Sequence, residues 1–236
     1  MKIGHFICIL AIAVLIVGFI QPVLAQGNET TDNATNYYNI GVRYLATNDY
    51  QRAIGFFNLA LASNTTKIQM SDGLLYTYQG KAYALIQLTQ YDDAIQTIGQ
   101  GLVIYPKDPK LWNDQGYALF KLGKNQDAVN AYNTAISFDQ NYTTALINKG
   151  QALYQMGKYQ DAVDAYTRAD ATDPGNSEAA KGLAQAQVAA AAATQTILII
   201  LGIVLIIAAG GIVYYMKFRK PAGKEAPGKK TKAEKK

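Results

Sequence analysis

The sequence predicts an all-α protein, a solenoid of four helix pairs closed by a capping helix and followed by one transmembrane helix. Three observations carry that expectation. A pattern of small and bulky residues recurs at a fixed interval of about 34 residues through the middle of the chain. Each recurrence contains two helical stripes separated by a short turn. Farther on, Ile197–Met216 runs for twenty residues without a charge.

The unit is clearest in Thr143–Asn176. Ala145, Leu146, Gly150, Leu153 and Tyr154 mark a first helix, and Met156-Gly157-Lys158 a turn. Ala162, Tyr166 and Ala169 follow at helical spacing. Asp173-Pro174-Gly175-Asn176 stops the second helix, because proline cannot continue a helix and glycine tolerates the turn. One interval back from Gly150, Ala162, Tyr166 and Ala169 stand Gly116, Ala128, Tyr132 and Ala135. A further interval back stand Ala82, Ala94, Ile98 and Gly101, with Pro106 in the stop turn. The first unit, Gly41, Ala53, Phe57 and Ala60, is displaced by seven extra residues around Asn64–Asp72. The small column of each first helix (Gly41, Ala82, Gly116, Gly150) and of each second helix (Ala53, Ala94, Ala128, Ala162) lets the pair approach closely. The bulky column Phe57, Ile98, Tyr132, Tyr166 fills the space between units. A single pair cannot bury its own face, so stacked pairs form the core.

These residues resemble the tetratricopeptide repeat (TPR), a helix–turn–helix unit of the same period. The resemblance covers four repeats, at 37–67, 75–108, 109–142 and 143–176, and implies a right-handed solenoid. Lys81, Gln115 and Lys149 depart from it, in a column where the family often has leucine. The family's first helices line a concave groove that takes extended peptides or partner helices. Carried over residue by residue, that groove includes Tyr38, Tyr76, Gln79, Tyr83, Asn113, Tyr117, Phe120, Asn148, Gln151 and Tyr154. Tyrosine offers a large contact area and a hydroxyl at low entropic cost, which suits recognition. Some of these tyrosines are expected in the core rather than the groove, because the chain uses Tyr as its general aromatic. The Lys/Asn clamp with which some TPR domains hold a terminal carboxylate is matched only in part, by Lys110 with Asn113.

Taken in order, residues 1–25 read as a secretory signal or an uncleaved anchor. Lys2 precedes an uncharged apolar run, Phe6–Ile20; Pro22 breaks it, and Val23-Leu24-Ala25 offers a cleavage site. Residues 26–36 are polar and read as a disordered leader. Asn28, Asn33, Asn64 and Asn141 each begin an Asn-x-Thr glycosylation acceptor in an expected leader or turn position. Residues 177–193 read as a capping helix, with Ala180, Leu183, Ala184 and Gln187 continuing the periodic spacing. The Ala189–Ala193 run leads on with no Gly or Pro break, which predicts one nearly continuous helix into the span at 197–216. Twenty residues at 1.5 Å each cover about 30 Å, the hydrocarbon thickness of a bilayer. Tyr214 and Tyr215 stand where an aromatic belt is expected, and Lys217, Arg219 and Lys220 mark the cytoplasmic side. No Gly-x-x-x-Gly type pair occurs in the span, so it carries no sequence signal for self-association.

Charge and composition narrow the function. The net charge of +5 belongs to the tail: residues 217–236 hold nine Lys/Arg and two Glu, a net of +7, leaving −2 for residues 1–216. The folded part therefore gives no electrostatic footprint for nucleic acid. The tail reads as disordered, and its positive charge either fixes orientation alone or also meets anionic lipid. His5 and Cys8, the single histidine and cysteine, both fall in the signal. His-dependent triads, cysteine nucleophiles, disulfides and Cys/His zinc sites are thus not expected in a mature chain. Asp92, Asp93, Asp127 and Asp161 fall at starts of second helices, where they complement the helix dipole rather than form a catalytic pair. The expectation is a protein with no enzymatic activity, no cofactor and no metal. It is a single-pass scaffold whose repeats lie outside the cell membrane and bind an unidentified protein or extended peptide. A structural subunit of an envelope complex and a glycan-binding surface module are the rival readings.

Overall fold

The computed structural model describes residues 33–63 and 72–219. The signal, most of the leader, Asn28, Asn64 and the tail from Lys220 onward lie outside these residues. The described residues form nine helices: α1 (Asn33–Ala46), α2 (Tyr50–Ala62), α3 (Gly73–Gln87), α4 (Tyr91–Ile104), α5 (Pro109–Lys121), α6 (Asn125–Phe138), α7 (Thr143–Gln155), α8 (Tyr159–Thr172) and α9 (Ser177–Phe218). The first eight are four pairs, α1/α2 through α7/α8. Three-residue turns join the two helices of each pair, which makes them antiparallel neighbours.

Local chemistry sets these boundaries. Asp49 and Asp108 cap α2 and α5, their carboxylates accepting from the Arg52 N–H at 3.2 Å and the Leu111 N–H at 2.7 Å. Pro109 follows at the start of α5, where a missing N–H costs nothing. The turns inside repeats 3 and 4 need left-handed backbone and place Gly123 and Gly157 there, at φ of +76° and +73°. The equivalent positions in repeats 1 and 2 hold Asn48 and Thr89, also at positive φ. Asparagine tolerates that region; β-branched Thr89 is a strained choice.

The small-residue columns do what their spacing implies. A Cβ built on Gly41 would sit 2.7 Å from the Phe57 ring, and one on Gly116 would sit 2.6 Å from the Tyr132 ring. Tyr166 lies between two glycines, Gly150 of its own repeat and Gly182 of α9. Phe57 lies likewise between Gly41 and Gly80. Phe57, Ile98 and Tyr132 are fully buried. The core forms two clusters. One joins repeats 1 and 2 with Leu111 and Ala118 of α5; the other runs from α6 through repeat 4 to Ala179 and Ala186 of α9.

One boundary is corrected. Helix α1 begins at Asn33, inside the segment expected to be a disordered leader through residue 36, and Ala34 is completely buried. Asn33, a glycosylation candidate, is an exposed residue at the start of that helix. Polar composition at 26–36 concealed the helix start because the burial that holds Ala34 in place is not visible in composition.

The contacts divide the chain after Ala186. Residues up to Ala186 hold the repeats and the buried cap residues Ala179, Gly182 and Ala186. The segment from Gln187 onward is the long continuation of α9, which has no break through Phe218. The apolar stretch of α9 is unburied. A core helix of a soluble protein would be mostly buried. This helix has the length and exposed apolar surface of a single membrane span.

Candidate functional site

Successive first helices touch one another (α1 with α3, α3 with α5, α5 with α7), while successive second helices make no comparable contacts. The first helices therefore form the inner layer of the stack, and their free faces are the candidate binding surface.

The ten groove candidates divide by burial. Tyr76 and Tyr83 are 49% and 43% exposed, large for aromatic side chains. Gln151 is exposed as well. Tyr38, Tyr117, Phe120, Asn148 and Tyr154 are half-buried. Gln79 and Asn113 are buried and hold neighbouring repeats together. Gln79 Nε2 donates to Asp108 Oδ1 at 3.1 Å, tying repeat 2 to the cap of α5. Asn113 Oδ1 accepts from Asn148 Nδ2 at 3.0 Å, tying repeat 3 to repeat 4. A buried amide must find such partners; in the free protein these two side chains join repeats and do not face solvent. Tyr83 meets Tyr50 edge to face at 6.1 Å, and Tyr154 meets Tyr159 in the same way at 5.2 Å. Lys121 Nζ lies 5.4 Å from the Tyr117 ring centre, within cation–π range. Burial raises the Tyr38 hydroxyl pKa, with a smaller contribution from Tyr76.

A carboxylate sits at the centre of this face. Asp114 Oδ2 pairs with Lys110 Nζ at 3.0 Å, and its Oδ1 accepts from Asn113 Nδ2 at 3.3 Å. Its side chain is only 16% exposed. Burial raises its pKa above the ordinary 3.8, and Asp108 adds to the rise; Lys110 and Asn113 oppose it. Tyr142 is pushed up to about 12 by burial and then by Asp114, Asp108 and Asp139. Lys110 of the partial clamp match is paired with Asp114 in this structure. Residue-type reasoning missed Asp114, Asp108 and Tyr142. The period could have found the first, because Gly80, Asp114, Asn148 and Gly182 occupy one column at the 34-residue interval.

The Asp114 shift has a checkable sign. Between 3.8 and its raised folded value, folded Asp114 keeps its proton while the unfolded carboxyl has lost it. Its contribution to stability therefore rises as pH falls through that window and is lowest at neutral pH. Asp114→Asn is expected to show its most favourable stability difference from wild type at pH 7, shrinking toward pH 4. Thermal unfolding followed by circular dichroism checks this; a difference independent of pH would contradict it.

Asn141, the fourth glycosylation candidate, is exposed in the turn before α7, its N–H donating to Asp139 Oδ1 at 3.0 Å. Among the described residues no group of three or more His, Cys, Asp or Glu side chains is placed to hold a metal ion.

Comparison with known proteins agrees with this geometry. Residues 116–157 match the family model described as TPR repeat, and residues 153–195 match a second model described as tetratricopeptide repeat. Both matches fall in the second half of the array, and there the helix pairs resemble tetratricopeptide repeats. The chain is similar in structure to the crystal structure of MamA protein, with TM-score 0.59 and 18% identity over 82% of this chain and 99% of that one. It is similar to MamA 41-end from Desulfovibrio magneticus RS-1, with TM-score 0.53 and 17% identity over 61% and 77% of the two chains. It is also similar to YrrB, described as a TPR protein with an unusual peptide-binding site, with TM-score 0.54 and 21% identity over 68% and 79%. These likenesses concern the fold. No curated protein matches the chain in sequence.

Proposed function

We propose that this protein is a non-catalytic scaffold that binds an extended protein segment on the inner face of its repeats and is held at the membrane by α9. The observation that carries the reading is the exposure of Tyr76 and Tyr83 on the inner helices, with exposed Gln151 and half-buried Asn148 on the same layer. Exposed aromatic rings supply contact area and amides hydrogen-bond a peptide backbone, a combination typical of recognition surfaces. The peptide-binding site described for YrrB is a precedent for the fold and not for these residues.

In the same reading the repeats lie outside the cell and the tail inside. Lys217, Arg219 and Lys220 flank the apolar span on one side, as expected for the cytoplasmic end of a stop-transfer helix. Residues 1–25 deliver the repeats across the membrane. Asn28, Asn33, Asn64 and Asn141 are then available for glycosylation, and the basic tail for anionic lipid.

The test is capture by the full-length protein, solubilised in detergent, from the membranes that contain it. Tyr76→Ala combined with Tyr83→Ala, the two exposed rings, is expected to reduce recovery of the protein partner at least tenfold while the helical circular dichroism signal and thermal midpoint stay close to wild type. Equal recovery by the variant would remove the inner face from the account. Loss of fold would place the two rings in the core instead.

A further inference from the structure

The outer side of the array carries a second, chemically different feature. A cleft of 310 Å³ opens between α6 of repeat 3 and the two helices of repeat 4. Its apolar part comes from Val129, Leu153 and Ala165, all buried. Its charged part comes from Lys149 of α7 and from Lys158, Asp161, Asp164 and Arg168 around α8.

These charges converge without pairing. The ion pairs formed among the described residues are Arg52–Asp49 and Lys110–Asp114. Asp164 and Arg168 stand four apart on one helix, the spacing and order at which an ion pair ordinarily forms, yet they do not pair within 4.0 Å. Lys158 donates to neutral Gln126 at 3.3 Å. Lys149 is partly desolvated. Burial and then Arg168 lower its pKa, and Asp161 and Asp164 act the other way.

The solenoid does not require this arrangement. One interval earlier the same five columns read Gln115, Lys124, Asp127, Asn130 and Thr134, with a single cation and a single carboxylate. Repeats 2 and 3 stack without the additional charges. Lys149 also stands where leucine would pack, so repeat 4 places an ammonium at the price of apolar contact.

We propose that this cleft binds a small zwitterion, a free α-amino acid with an aliphatic side chain. Lys149 and Arg168 repel each other and are both satisfied by one carboxylate between them. Asp161 and Asp164, three apart on α8, are likewise satisfied by one ammonium. Val129, Leu153 and Ala165 receive the hydrocarbon. A simple anion would leave the two aspartates unmatched and would be repelled by them; a simple cation would leave Lys149 and Arg168 unmatched. A cleft of 310 Å³ lies at the small end of the range for ligand sites.

The probe is L-leucine, measured by equilibrium dialysis against the full-length protein in detergent micelles. The comparison ligands are 4-methylpentanoate, which lacks the amine, and isoamylamine, which lacks the carboxylate. Saturable leucine binding is expected, with each comparison ligand at least tenfold weaker. Arg168→Gln and Asp164→Asn are each expected to weaken leucine at least tenfold; both residues are exposed, and circular dichroism checks that the variants remain folded. Tyr83→Ala, on the inner face, is expected to leave leucine binding unchanged, which separates this site from the peptide surface. Absence of saturable leucine binding would overturn the proposal. So would 4-methylpentanoate binding as tightly as leucine, or loss of leucine binding in Tyr83→Ala.

Discussion

Leucine in place of Gly182 is expected to destabilise the C-terminal end of the repeat array by about 3 kcal/mol, the upper part of the usual range for overpacking. The Tyr166 ring lies against Gly182 on one side and Gly150 on the other, so it has no space into which to retreat. A Cβ at Gly150 would already sit 2.9 Å from the ring, and one at Gly182 would be closer still. The hydroxyl of Tyr166 is pushed up to about 12, by burial first and then by Glu178 and Tyr154; its ring belongs to the core. For a domain of this size the thermal midpoint should fall by about 6–12 °C. Adding Tyr166→Ala should make the double variant less unstable than the sum of the two single changes, because the clash and the ring are removed together. An unchanged midpoint in Gly182→Leu would contradict the packing of α9 onto repeat 4.

Leu205→Arg is expected to release the protein from membranes. Leu205 lies near the middle of the apolar stretch and is 69% exposed. The twelve Leu, Ile and Val residues of 197–216 favour insertion by roughly 4–7 kcal/mol, and a central arginine costs about 2.5–3.5 kcal/mol on the same scale. The substitution therefore removes about half or more of the driving force. The wild-type chain and Leu205→Ala should stay in the membrane fraction through alkaline carbonate extraction, while Leu205→Arg should appear in the supernatant. Retention of the arginine variant at wild-type level would contradict the transmembrane reading of α9.

The architecture was legible because it rests on periodic sterics. The Gly116–Tyr132 and Gly150–Tyr166 contacts follow from two columns that any reader can align by eye. The uninterrupted α9 was legible from the alanine run that leads into the span. The candidate surface was less so, since a tyrosine on an inner helix reads the same whether exposed, like Tyr83, or half-buried, like Tyr117. Hydrogen bonds between repeats were not legible at all. Nothing in the residue types shows that Gln79 reaches the cap of α5 or that Asn113 and Asn148 bond to each other, because those pairs are set by the offset between adjacent helices. Asp114 was hidden for a related reason: an aspartate in a first helix reads as solvated, and its burial follows from the neighbours that stack around it. The start of α1 at Asn33 depended on Ala34 finding a buried place, which composition alone cannot reveal.

The central claim is that the partner sits on the inner helices, and site-specific photo-crosslinking tests it most directly. A photoreactive phenylalanine analogue placed at Tyr83 would probe the inner face, and one at Val103, 84% exposed on a second helix, would probe the outer side. The account predicts that irradiating membranes containing the full-length protein yields a discrete crosslinked protein adduct from position 83 and none from position 103. An adduct from position 103 with none from position 83 would contradict it.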